Sequence, residues 1–104
     1  MQLTHTLLIA ADHPALAGHF PAMPMLPGVV LLDEALRLIG DELDLDLAHW
    51  QIAAAKFLSP VRPGEQVVIE VAAQADLVRF GARVADRAAL SGTLSRVPTG
   101  SHAR

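Results

Sequence analysis

Residues 65 to 97 hold three consecutive segments that alternate apolar and polar side chains. In EQVVIEVAAQ, Val67, Ile69, Val71 and Ala73 fall on one face and Gln66, Glu70 and Gln74 on the other. In DLVRFGARVADR the apolar set is Val78, Phe80, Ala82 and Val84, opposite a row of Arg79, Arg83 and Arg87. In ALSGTLSRV it is Leu90, Gly92 and Leu94, opposite Ser91, Thr93 and Ser95. A two-residue period marks a strand with one dry face. DRAA between the last two segments is short enough for a hairpin connection, which pairs its strands antiparallel. The chain is therefore committed to an antiparallel sheet, and its dry face needs a cover.

The cover is a helix beginning at Pro27, where the missing N–H costs nothing, with Gly40 as its stop. On a 100° wheel Asp33, Glu34, Arg37 and Asp41 share an arc of about 120°, and apolar residues fill the remainder. Such a helix reads as central, wrapped by protein. Residues 2–10 form a further strand, with Leu3, Leu7 and Ile9 on near-alternate positions, and residues 11–26, rich in proline, form a structured loop. WQIAAAKFLSPV is an evenly apolar segment and is expected as a more deeply buried strand. RPGE places Pro63 and Gly64 in the central slots of a type I or II turn. PTGSHAR reads as a loose tail over residues 97–104. These patterns predict one α+β domain over residues 1–104, with about five antiparallel strands around one central helix.

A chain of 104 residues buries limited surface, yet 52% of it is hydrophobic and its mean hydropathy is +0.37. Part of that apolar area is expected to meet a second copy, giving a homodimer or larger assembly. A net charge of −3 gives no footprint for nucleic acid. The absence of cysteine excludes disulfides, thiolate metal ligands and cysteine nucleophiles. His5, His13, His49 and His102 lack metal-ligand spacing. The first residues lack a basic leader and no run approaches a membrane span, so a cytoplasmic location is expected.

GHFPAMPMLPGVVLLDEA, residues 18–35, resembles the signature of the hot-dog-fold 3-hydroxyacyl-[acyl-carrier-protein] dehydratases: G-H-F-P, two residues, P, two residues, P-G, then a helix with an acid five residues after that glycine. KFLSPVRPGEQVVIEV, residues 56–71, is similar to the family's second stretch, a K-F strand, a P-x-x-P-G-(D/E) turn and another strand. The resemblance implies a short, dimeric hot-dog member similar to the hydroxydecanoyl and hydroxymyristoyl dehydratases. It carries over His19 as the catalytic histidine and Asp33 as the catalytic acid, the two meeting from different subunits. It also implies that the backbone N–H of Gly28 holds the thioester carbonyl, that the backbone of Met25 orients His19, and that Phe20 contacts substrate. The substrate would be a 3-hydroxyacyl thioester on acyl carrier protein or coenzyme A, and neither metal nor organic cofactor is implied.

The chemistry suits those residue types. Losing water from such a thioester requires removal of a C2 proton, protonation of the departing hydroxyl, and stabilisation of charge on the thioester oxygen. Histidine, with an unperturbed pKa of about 6.5, serves the first near neutral pH. An apolar enclosure would favour the protonated form of Asp33 for the second. The Gly28 N–H at a helix start serves the third. The sequence departs from the family pattern at Ala22, where glycine is usual, at Glu34, where alanine is common, and at Arg37, where glutamine is usual. Arg37 lies one helical turn from Asp33 and is placed to pair with it. Glu34 and Arg37 are thus candidate modulators of the acid. Lys56, Arg62, Arg79, Arg83 and Arg87 are candidates for docking an acidic carrier protein. Two alternatives stand beside dehydration: a hot-dog thioesterase, and a non-catalytic acyl-binding or partner subunit.

Overall fold

The computed structural model describes residues 2–8 and 26–98. Five strands, β1 (Gln2–Leu8), β2 (Trp50–Phe57), β3 (Gln66–Gln74), β4 (Leu77–Val84) and β5 (Arg87–Arg96), form one antiparallel sheet in the order β1-β3-β4-β5-β2, with the helix α1 (Gly28–Glu42) between β1 and β2 in the chain. The alternation in β3, β4 and β5 fixes which face is dry. Val67, Ile69 and Val71, Val78, Phe80, Ala82 and Val84, and Leu90 and Leu94 are all buried, and they pack in one core with Leu31, Ala35 and Ile39 of α1. Ile39 is fully buried, so truncating it to alanine would cost about 2–5 kcal/mol.

Pro27 lies just outside the helix and not at its first position. Its φ of −58° and ψ of 140° are non-helical, and its carbonyl accepts the amides of Val30 and Leu31. The helix also runs past Gly40. It ends where Asp44 takes a left-handed φ of 53° and the Leu45 amide reaches back to the Gly40 carbonyl at 3.0 Å, a Schellman closure with aspartate where glycine is usual. Gly40 stays helical with the Leu47 side chain packed against it, 3.3 Å from where a Cβ would sit. Pro63 and Gly64 form the expected turn, with Gly64 at φ 83°, the type II form. The hairpin between β4 and β5 turns at Ala85 and Asp86, so Arg87 belongs to β5 and not to the row of Arg79 and Arg83.

One expectation about burial fails. β2 is not the most buried strand: it is an edge, paired only to β5 among the described residues, and Ile52, Phe57 and the following Leu58 are about half exposed. The sheet packs on α1 through the buried stripe of Leu31, Ala35 and Ile39 at fourfold spacing, with Val30, Leu32, Leu36 and Leu38 partly buried against the same core, while Val29 is 67% exposed. The Phe57 ring meets Gly28 at the start of the helix, yet Ile52 and Phe57 stay about half exposed. Among the described residues no helix is long and apolar enough to cross a membrane.

Candidate active site

The start of α1 and the end of β2 face each other across a cavity of about 430 Å³, within the usual range for small-molecule sites. Leu26, Pro27, Gly28 and Leu31 form one wall, and Phe57, Leu58, Ser59, Pro60, Val61 and Ala89 form the other. An isolated antiparallel bridge joins the walls: the Leu26 amide donates to the Val61 carbonyl at 2.7 Å. Gly28 is the first residue of the helix, so its N–H has no intrahelical acceptor and sits at the positive end of the helix dipole. The absence of a side chain there is a packing matter. A Cβ on Gly28 would lie 2.6 Å from Cδ1 of Phe57, whose ring rests against the glycine.

The second wall is held by Arg87. Its guanidinium donates to the Ser59 hydroxyl at 3.2 Å, to the Pro60 carbonyl at 2.9 Å and to the Glu65 carboxylate at 3.2 and 3.3 Å. The Ser59 hydroxyl in turn donates to the Ala88 carbonyl at 2.6 Å, and the Leu58 amide to the Ala89 carbonyl at 2.9 Å. Glu65 also accepts the Arg62 backbone amide at 2.6 Å. That amide, opposed in part by desolvation and helped by the Arg87 guanidinium, holds the Glu65 carboxyl below the usual carboxylate range. The turn RPGE and the cavity wall are thereby fastened to the β4–β5 hairpin.

Asp33 does not line the cavity. It lies on the helix face opposite the buried stripe and is 74% exposed in the single chain, so the burial expected of it is not supplied by this chain's described residues. Arg37 lies beside it as expected, but its Nη2 is 2.8 Å from Oε1 of Glu34 and 3.7 Å from Oδ2 of Asp33, so the hydrogen bond goes to the glutamate. His19, Phe20 and Met25 lie outside the described residues. Of the basic candidates, Arg83 pairs with Glu70 at 3.5 Å and Arg87 is engaged as above. Lys56, Arg62 and Arg79 are exposed and make no ion pair with any described residue. Sequence reasoning missed Phe57 as the ring against Gly28 and Arg87 as the brace of the wall. A signal for the first exists in the composition: only 4% of the chain is aromatic, so a phenylalanine directly before a Pro- and Gly-rich turn stands out.

A family model described as ApeI-like, ApeI dehydratase, matches residues 1–93. A curated relative, the 3-hydroxyacyl-[acyl-carrier-protein] dehydratase FabZ of Aliivibrio fischeri, is 36% identical over 72 residues, which cover 61% of this chain and 48% of that protein. The chain thus spans about half the length of the curated relatives it matches. Among solved structures, the dehydratase heterocomplex ApeI:P from Xenorhabdus doucetiae superposes with a TM-score of 0.75 at 24% identity, covering 93% of this chain and 88% of that one. The dehydratase domain of the polyketide protein PpsC from Mycobacterium tuberculosis superposes with a TM-score of 0.79 at 18% identity, covering 93% and 40%. These superpositions establish the hot-dog fold. With the family match spanning most of its length, the chain belongs to the ApeI-like dehydratase family.

Proposed function

We propose that the protein dehydrates 3-hydroxyacyl thioesters to trans-2-enoyl thioesters. The observation that carries the reading is the Gly28 N–H at the start of α1, opening onto an apolar cavity bounded by Phe57 and Val61. A thioester carbonyl seated on that amide would have its enolate-like charge stabilised by a donor fixed before the reaction begins. In this reading His19 removes the C2 proton, the C3–O bond breaks as Asp33 delivers a proton to the hydroxyl, and water leaves. The histidine then holds the proton taken from C2. The name of the Aliivibrio fischeri relative supports acyl carrier protein as the substrate's carrier. Arg62, beside the cavity wall, and Lys56, beside Phe57 in the chain, make no ion pair among the described residues and are well placed to meet an acidic carrier near the cavity.

The working unit in this reading is an oligomer, at least a homodimer. Asp33 and Val29 on α1, and Ile52, Phe57 and Leu58 at the β2 edge, are exposed in one chain. A second copy laid along that edge would cover them and bring a histidine to the aspartate. Mass spectrometry of the protein incubated with a 3-hydroxyacyl carrier protein tests the reaction. Loss of 18 Da, about one water, is expected, and it should be abolished by His19→Ala and by Asp33→Asn. Release of free acid would replace dehydration with thioester hydrolysis, and an unchanged substrate would leave a binding role.

A further inference from the structure

Arg37 stands within reach of two carboxylates on the same helix and has chosen one. Its Nη2 is hydrogen-bonded to Glu34 at 2.8 Å, whereas Asp33 at 3.7 Å is beyond hydrogen-bond distance. The choice has a structural cause. The side chain of Glu34 is 23% exposed and that of Asp33 74%, so the bond to Glu34 is the less hydrated of the two and the better held. Asp41, one turn beyond Arg37, makes no ion pair with it. No other charged side chain among the described residues pairs with any of the three. Arg37 thus gives its hydrogen bond to Glu34 and keeps only a longer ion-pair contact with Asp33.

We propose that Glu34 is a positioning residue that draws the Arg37 hydrogen bond away from Asp33, leaving the aspartate oxygens open to the substrate hydroxyl. The inference rests on the reading of Asp33 given above. The guanidinium that would otherwise hydrogen-bond the Asp33 oxygens is occupied by the neighbouring glutamate. Glu34 therefore serves the reaction without touching substrate. Its removal should do more harm than removal of Arg37, the reverse of what a simple stabilising ion pair would produce, since both variants lose the same pair.

The test is steady-state kinetics of the full chain with a 3-hydroxyacyl carrier-protein substrate. Glu34→Gln should lower kcat by roughly three- to tenfold with KM little changed, because Arg37 then has only Asp33 to bind. Arg37→Gln should leave kcat at or above the parent value, and Glu34→Gln/Arg37→Gln should match Arg37→Gln alone. A parent-like kcat in Glu34→Gln would overturn the proposal. So would a double variant as slow as Glu34→Gln, which would give Glu34 a role of its own. Asp33→Asn separates the two levels of argument: if it dehydrates normally, the reading of Asp33 falls and the proposal with it. If it is inactive, the other variants judge Glu34 by themselves.

Discussion

Gly28 and Phe57 share one volume, and the site depends on which of them fills it. With the ring's Cδ1 2.6 Å from the place of a Cβ, Gly28→Ala must displace the phenylalanine or the first turn of the helix. Overpacking of this kind costs about 1–3 kcal/mol. Because Phe57 is 55% exposed, part of the strain can be relieved by rotating the ring outward. The expected outcome is a modest fall in Tm with a large loss of kcat, as the amide proposed to hold the thioester oxygen moves. Pairing it with Phe57→Leu should recover Tm, which thermal unfolding of the single and double variants would check. Glu65 gives a second residue-scale prediction. Its carboxyl is held below its ordinary range in the folded chain, chiefly by the Arg62 amide and further by Arg87. The stabilisation this brings is fully present above the ordinary carboxylate range and is lost as pH falls through the lowered folded value. Glu65→Gln should therefore flatten the acid limb of a Tm-against-pH curve and leave the neutral region parallel to the parent.

The two hairpins β3–β4 and β4–β5 each turn on an Ala-Asp pair, with Ala75 at φ 51° and Ala85 at φ 54°. Left-handed alanine is strained where glycine is not, so Ala75→Gly and Ala85→Gly should each stabilise by about 0.5–1 kcal/mol in denaturant titrations, once the greater entropy of the unfolded glycine is subtracted. The sheet itself was legible because alternation in β3, β4 and β5 is a local pattern with one solution: a one-residue slip would expose Ile69, Phe80 and Leu90 together. The two-motif resemblance likewise pointed to the hot-dog fold that the solved structures share. β2 was not legible in the same way. An evenly apolar run signals burial but not what buries it, and here Ile52 and Phe57 lie on an edge strand and stay about half exposed, even with the Phe57 ring against Gly28 at the start of α1. The helix runs two residues past Gly40 because its left-handed closing residue is Asp44, a position that no glycine marks in the sequence. Gly28 at the cavity could be found from its motif. Arg87 as the brace could not, since its partners Ser59, Pro60 and Glu65 lie more than twenty residues away in the chain.

For the molecule as a whole the exposure of Asp33 decides how many chains make a site. A carboxyl 74% exposed on the outer face of α1 cannot serve as an enclosed proton donor unless something covers it. The apolar edge of β2 offers the means, because a strand paired only to β5 among the described residues, with half-exposed Ile52, Phe57 and Leu58, is a template for a second copy. Ile52→Glu would place a charge in that contact, so it should yield a monomer by light scattering that keeps its far-ultraviolet spectrum and loses dehydration. A stronger test follows from the composition of the site. If each site takes His19 from one chain and Asp33 from its partner, a hybrid of His19→Ala and Asp33→Asn chains holds one site with both residues intact and one with neither. Equal mixing with free exchange makes half of the dimers hybrid, and half of the sites in each hybrid are whole, so two inactive proteins should recover about a quarter of the parent activity. Activity that stays at zero after exchange has been verified by mass spectrometry would mean that both residues of a site come from one chain, and the exposed face of α1 would then need a different explanation.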